Sequence, residues 1–223
     1  KILPLIRKES LMAINFTSLG GPANPTPTPT EVAPAAGGVS LDLEKNTILD
    51  LAKAAPGLTK VDLCAGWDIS AGGADFDLDI SAFLLNEAGK ITSASDVIFY
   101  NNKTAPGIHL NGDNRTGAGD GDDEVINLDL AALSPSIHKV ICAVTIDQAI
   151  TRRQTFGMVN NSYVRLVNAE NNSELCKFQL KDDYSTDTAV VFAELVKDGS
   201  TWAFHTIGEG KQADLNGIAA LFS

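Results

Sequence analysis

Apolar and polar residues alternate in short runs along most of this chain, with turn-forming residues between the runs. A period of two places the apolar side chains on one face of an extended segment. Residues 39–43 and 47–51 alternate around Glu44-Lys45-Asn46 and read as a hairpin, and 60–65 reads as the next strand. Residues 75–85 form a longer run that becomes apolar on both faces after Ser81, which sends its end to the centre of the sandwich. A turn at 86–89 leads into 90–92, and short strands at 97–100 and 124–128 follow. The most apolar run, 138–147, is expected to be a central strand. Residues 163–168 with 175–180, and 189–196 with 201–207 across Lys197-Asp198-Gly199-Ser200, read as two further hairpins. The period changes in two places. Residues 129–133 read as one helical turn stopped by Ser134-Pro135, and 214–222 carries Leu215, Ile218, Ala219 and Phe222 at helical spacing. About ten short strands and one short C-terminal helix predict an all-β fold, a β-sandwich.

The first 38 residues stand apart from this pattern. Residues 1–21 form an N-terminal segment whose first eleven residues precede Met12. Its basic and apolar start, Lys1 to Lys8, is too short for a signal peptide and reads as upstream sequence. Residues 22–38 form a linker rich in Pro, Thr and Ala. Five of the nine prolines fall between Pro22 and Ala36, which favours an extended, polyproline-like chain. The remaining 39–223 is long enough for a single sandwich with a sizeable core. The net charge of −11 disfavours nucleic acid and anionic lipid as partners and suits cation binding. Cys64, Cys142 and Cys176 are odd in number and widely spaced, so they are expected as buried free thiols in a reducing compartment. No apolar run reaches the length of a membrane span.

The acids change the picture most. Residues 111–124 carry five carboxylates (Asp113, Asp120, Asp122, Asp123, Glu124), four glycines and one cation, Arg115. The glycines let the backbone turn tightly around a small ligand. Crowded carboxylates repel one another unless a positive charge sits between them. A hard divalent cation that takes six to eight oxygens suits such a loop, and magnesium suits it less. A second cluster, Asp75-Phe76-Asp77-Leu78-Asp79-Ile80, alternates strictly. On a strand, Phe76, Leu78 and Ile80 would enter the core while Asp75, Asp77 and Asp79 share the other face. No Lys or Arg lies between Lys60 and Lys90 to balance them.

These residues resemble the tellurium-resistance TerD family. The resemblance is carried by Gly66-Trp67-Asp68, by Asp75 to Phe83, by Gly112 to Glu124 and by Val144-Thr145-Ile146. Phe156-Gly157, Asn160-Asn161-Ser162-Tyr163-Val164-Arg165, Thr188-Ala189 and Glu194-Leu195 extend it, so that it runs from Val39 to the C-terminus. It implies a Ca²⁺-binding β-sandwich of bacterial stress response. The implied metal-ligand positions are Asp77, Asp79, Asp113, Asn114, Asp122, Asp123 and Glu124, followed by Asp68 and Asp75. It further implies a cytoplasmic, non-enzymatic module with protein partners, among them other tellurium-resistance proteins in a complex at the membrane.

Other chemistries fit less well. The 112–117 glycine spacing lacks the Lys-Ser/Thr of a phosphate loop, Arg115 breaks an EF-hand series, and one β-roll-like copy cannot stack. There is no Gly-x-Ser-x-Gly turn for a serine nucleophile. A metal-dependent hydrolase and a C2-like calcium-dependent membrane adaptor remain as alternatives. The first lacks a basic clamp near the acids, and the second lacks basic or apolar loop tips.

Overall fold

A computed structural model describes residues 30–31, 41–42, 47–68, 76–112, 116–117, 121–180 and 184–223. The readings made for 1–29 and for the linker from 32 to 38 lie outside the described residues. In chain order the strands are β1 (Thr30–Glu31), β2 (Leu41–Asp42), β3 (Thr47–Asp50), β4 (Lys60–Asp68), β5 (Leu78–Leu85), β6 (Val97–Ile98) and β7 (Thr104–Ala105). They continue with β8 (Ile108–Leu110), β9 (Glu124–Asp129), β10 (Lys139–Ile146), β11 (Asn160–Asn168), β12 (Ser173–Gln179), β13 (Ala189–Asp198) and β14 (Thr201–Lys211). Helix α1 (Leu51–Ala54) follows β3, α2 (Ala149–Arg152) follows β10, and α3 (Leu215–Ala220) closes the chain.

The strands form two sheets, ordered β1-β3-β14-β13-β10-β5-β6 and β2-β12-β11-β4-β9-β8-β7. The expected β-sandwich is the fold observed. Between the sheets lies the main core, where Val61, Leu63, Ala65 and Trp67 of β4 meet Leu78, Ile80, Ala82 and Leu84 of β5 and Val140, Cys142 and Val144 of β10. The first sheet is also covered on its outer face. Phe83, Leu85, Ile141, Ala143, Ala189 and Val191 pack there against Ile218 and Phe222 of the C-terminal segment, with the Phe83 and Phe222 rings 5.8 Å apart. This second layer explains why β5 and β10 are apolar on both faces. Helix α3 is held by its Asp214 cap, whose carboxylate accepts the Gly217 N–H at 2.8 Å.

Several sequence readings need correction. The 39–51 hairpin does not form: β2 pairs with β12 in one sheet, while β3 pairs with β14 in the other. Alternation assigns faces to a strand but not a sheet, and here β2 and β3 lie in different sheets. Residues 90–92 are not a strand. The turn between β13 and β14 is two residues, Gly199-Ser200, not four. The β7–β8 hairpin, joined by Pro106-Gly107, has no counterpart in the reading of the sequence, because its strands are too short to show a period. Two single-turn helices, α1 and α2, were likewise not expected.

Candidate functional site

The described members of the two acid clusters come to the same end of the sandwich. On β9 the inward positions are Glu124, Ile126 and Leu128, so a carboxylate takes the first core-facing place. Glu124 is 2% exposed, and its Oε2 accepts the Ile80 N–H of β5 at 2.7 Å. Ile80 can donate sideways because β6 covers the edge of β5 only at Ala82 and Phe83. Glu124 thus supplies an acceptor where the edge strand leaves off.

Trp67 links the same pieces. Its backbone N–H donates to Asp123 Oδ2 at 2.8 Å and its indole Nε1–H to the Phe76 carbonyl at 3.1 Å. The Asp123 N–H in turn donates to the Ala65 carbonyl at 2.9 Å. Gly117 of the acidic loop lies against the indole: a Cβ there would stand 2.5 Å from Trp67 Cδ1, and its φ is +67°. Gly117→Ala is therefore expected to cost well over the roughly 1 kcal/mol of an ordinary positive-φ glycine replacement. Gly112→Ala, with φ +44° and open space around it, is expected to cost about 1 kcal/mol. Chemical denaturation of the two variants side by side checks the difference.

Burial raises the Asp123 carboxyl above its ordinary value. The Trp67 N–H works against that shift, and the neighbouring Asp122 and Asp68 charges add to it. Asp122 has turned to the outer face of the second sheet. There Arg165 Nε and Nη2 donate to its two oxygens at 2.8 and 2.6 Å, and the Tyr163 hydroxyl donates to Oδ1 at 3.0 Å. Arg165 also reaches Glu174 at 3.0 Å. Burial pulls the Asp122 pKa up, but the Arg165 hydrogen bonds and charge more than offset this and hold it below the usual carboxylate value. A depressed native pKa stabilises the fold above the unfolded-state pKa, and that contribution is lost as pH falls through the native one. The melting-temperature difference between the native chain and Asp122→Asn is therefore expected to be full at neutral pH and to shrink in acid below about pH 4. Melting curves from pH 7 to pH 2.5 test this.

Asp68 is exposed at the end of β4 and accepts from Asn161 Nδ2. Asn161 adopts φ +51° within an irregularity of β11 that faces Trp67 and Gly66. Asp77 and Asp79 lie at and just before the start of β5, and the Asp77 carbonyl accepts the Asp147 N–H at 2.8 Å. Both side chains are buried. Asp77, Asp79 and Glu124 are the charged side chains that are buried among the described residues, and all three are acids. Asp75, Asp113 and Asn114 lie outside the described residues. Among those described, no three His, Cys, Asp or Glu side chains converge closely enough to hold a metal ion by themselves. Tyr163, Arg165 and Cys64, which surround Asp122, were not among the expected site residues. No signal in the sequence brings them to Asp122, because Arg165 stands opposite Cys64 only through the pairing of β4 with β11.

The model of the TerD domain matches residues 39–222. The chain belongs to the TerD family. Tellurium resistance protein TerD of Serratia marcescens is 43% identical over 187 residues, covering 82% of this chain and 97% of that protein. General stress protein 16U of Bacillus subtilis (strain 168) is 44% identical over 186 residues, covering 81% and 96%. The crystal structure of a homologue of telluride resistance protein (TerD), SCO6318 from Streptomyces coelicolor A3(2), superposes with a TM-score of 0.61 at 28% identity, covering 73% of this chain and 96% of that one. The TerD family is one of tellurium resistance and general stress response. No helix among the described residues is long and apolar enough to cross a membrane.

Proposed function

We propose that this TerD-family chain is a non-catalytic calcium-binding module of the stress response, in which the metal orders the acidic loop into a docking surface for protein partners. The observation that supports it most is the burial of Asp77, Asp79 and Glu124 at one end of the sandwich, beside the loop that carries Asp113, Asn114 and Asp123. Buried carboxylates need partners that offset the cost of leaving water, and a cation is one kind of partner that does so. Their donor set is oxygen throughout, which suits a hard cation with many ligands. In this reading Asp77, Asp79, Asp123 and Glu124 hold Ca²⁺ together with Asp113 and Asn114. Asp122, engaged by Arg165 and Tyr163, fastens the end of the loop to the second sheet, with Asp68 and Asp75 at the margin. The ion would supply the positive charge that lets the loop close, and the closed loop would form the binding face. The proposed partners are other proteins, including tellurium-resistance proteins at a membrane complex, met from the cytoplasmic side.

Calorimetric titration of demetallated protein tests the metal. Ca²⁺ should bind with a resolvable heat and Mg²⁺ more weakly, while a flat calcium titration would remove the proposal. A metal that binds only the folded state stabilises it by roughly 2.7 kcal/mol at a hundredfold excess over its Kd. EDTA should then lower the melting temperature of the native chain and leave that of Asp79→Asn unmoved. Partners captured in calcium should be released by EDTA.

A further inference from the structure

A cavity of about 810 Å³ opens on the outer face of the first sheet, between the segment 91–101, the residues that follow β10 and helix α3. Its walls are mostly apolar, with Ile91, Val97, Phe99, Ile146, Leu215 and Ala219 contributing. Three large apolar side chains are exposed among the described residues, and two of them stand at this cavity: Tyr100 at 38% and Ile150 at 78%. One face thus carries an apolar hollow and, on its rim, an apolar projection. Exposed apolar surface of this kind is favourably buried by a partner.

The projection is held in place. Ile150 sits in α2, which is bounded by Gln148 at φ +51° and Arg153 at φ +55°. Non-glycine residues keep this left-handed conformation only where their surroundings fix it. Here the Asp147 carboxylate accepts from Gln148 Nε2 at 2.8 Å and from Arg152 Nη2 at 3.4 Å. The Gln154 N–H closes the turn on the Ala149 carbonyl at 2.9 Å. A side chain so exposed adds little to its own core, and one already ordered loses little freedom when a second body buries it.

We infer that this face is a two-fold interface between two copies of this chain, in which Ile150 of each copy enters the cavity of the other. A two-fold contact joins the same patch on both copies, so it needs one surface that carries both a projection and the hollow to receive it. This face carries the two side by side. Its charges suit a second copy as well. Arg153, at the end of α2, is exposed and forms no ion pair among the described residues. Asp214, on the opposite wall, is exposed and gives one carboxylate oxygen to the α3 cap. In the pair, Arg153 faces the partner's Asp214, and opposite charges placed in this way fix the register of the contact. The inference does not rest on the calcium reading, and its test is run in EDTA.

Sedimentation of the native chain is expected to give twice the 23.5 kDa mass of one chain at high concentration, passing to single chains on dilution. Ile150→Asp changes an exposed residue, so it should weaken pairing at least tenfold and leave the melting temperature unchanged. Ala219→Trp fills the hollow and should do the same, with the melting transition confirming a folded variant. Mixed together, these two variants should pair more tightly than either does alone, since one intact Ile150 then meets one open cavity. Ile150→Cys should cross-link to its own copy under oxidised glutathione, because the two projections meet beside the axis, and Cys64, Cys142 and Cys176 are buried. Met158→Cys, at a position 52% exposed and outside the cavity lining, is the control for random collision. Single chains at every concentration, unchanged pairing of Ile150→Asp, no gain on mixing, or equal cross-linking of the two cysteine variants would each overturn the assignment. A single chain whose cavity takes up octanol would overturn it too, and would give the site to a neutral small ligand.

Discussion

Replacing Trp67 by alanine is expected to lower the unfolding free energy by about 4 kcal/mol, the largest effect of any single change at this end of the molecule. The side chain is 3% exposed and packs in the main core. Its removal leaves a cavity the size of an indole, because close-packed surroundings collapse only in part. It also leaves the Phe76 carbonyl without the Nε1–H donor and takes away the surface on which Gly117 rests. The damage should therefore be local as well as global. Hydrogen exchange in the acidic loop and at the start of β5 should rise more than in β13 and β14. Denaturant melts give the total loss, and exchange gives its distribution. Equal loss of protection in all strands would show that Trp67 is a packing residue with no special hold on the acid clusters.

The second large effect is expected at Glu124. Glu124→Ala, measured in EDTA so that no metal contributes, should cost about 3 kcal/mol. It removes a charge-assisted hydrogen bond and leaves the buried Ile80 N–H without the acceptor it has now. Glu124→Gln keeps an oxygen within reach of Ile80 and should cost about 1 kcal/mol. The pair also separates the two duties given to this carboxylate. If its charge serves calcium as proposed, the Gln variant should stay folded and yet lose most of the calcium-induced rise in melting temperature. A Gln variant with the full calcium shift would assign Glu124 to the strand edge alone.

Much of this arrangement was legible in the sequence. Period-two alternation identified β4, β5, β9, β10 and the two hairpins of the second half, and 81–85 was seen to be apolar on both faces, though not that the C-terminal segment covers one of them. Leu215, Ile218 and Phe222 signalled that helix by their spacing. What alternation does not carry is partnership. Residues 41–42 and 47–50 look like hairpin arms, but the pairing that decides their place is with β12 and β14, more than a hundred residues away. The same limit applies to the site. The acids were plain as clusters, and a period of two correctly put Asp77 and Asp79 on the face opposite Ile80. It could not say that this face is also covered. Nor could it pair Asp122 with Arg165, since that contact exists only because β4 and β11 are neighbours and the end of the loop folds across them. Charge density is a local property of the sequence, whereas charge pairing belongs to the topology.

The strands at the borders of the sandwich have a further consequence. β1 and β6 end one sheet, β2 and β7 end the other, and each is two residues long. A foreign strand that approached any of these four borders would find at most one or two rungs of main-chain pairing before the ladder ran out. Growth by strand addition, the route to domain exchange and to fibres, therefore finds only a short template on these four strands themselves. Association of this protein with itself or with others is expected to proceed through side chains and loops, with the main chain a spectator.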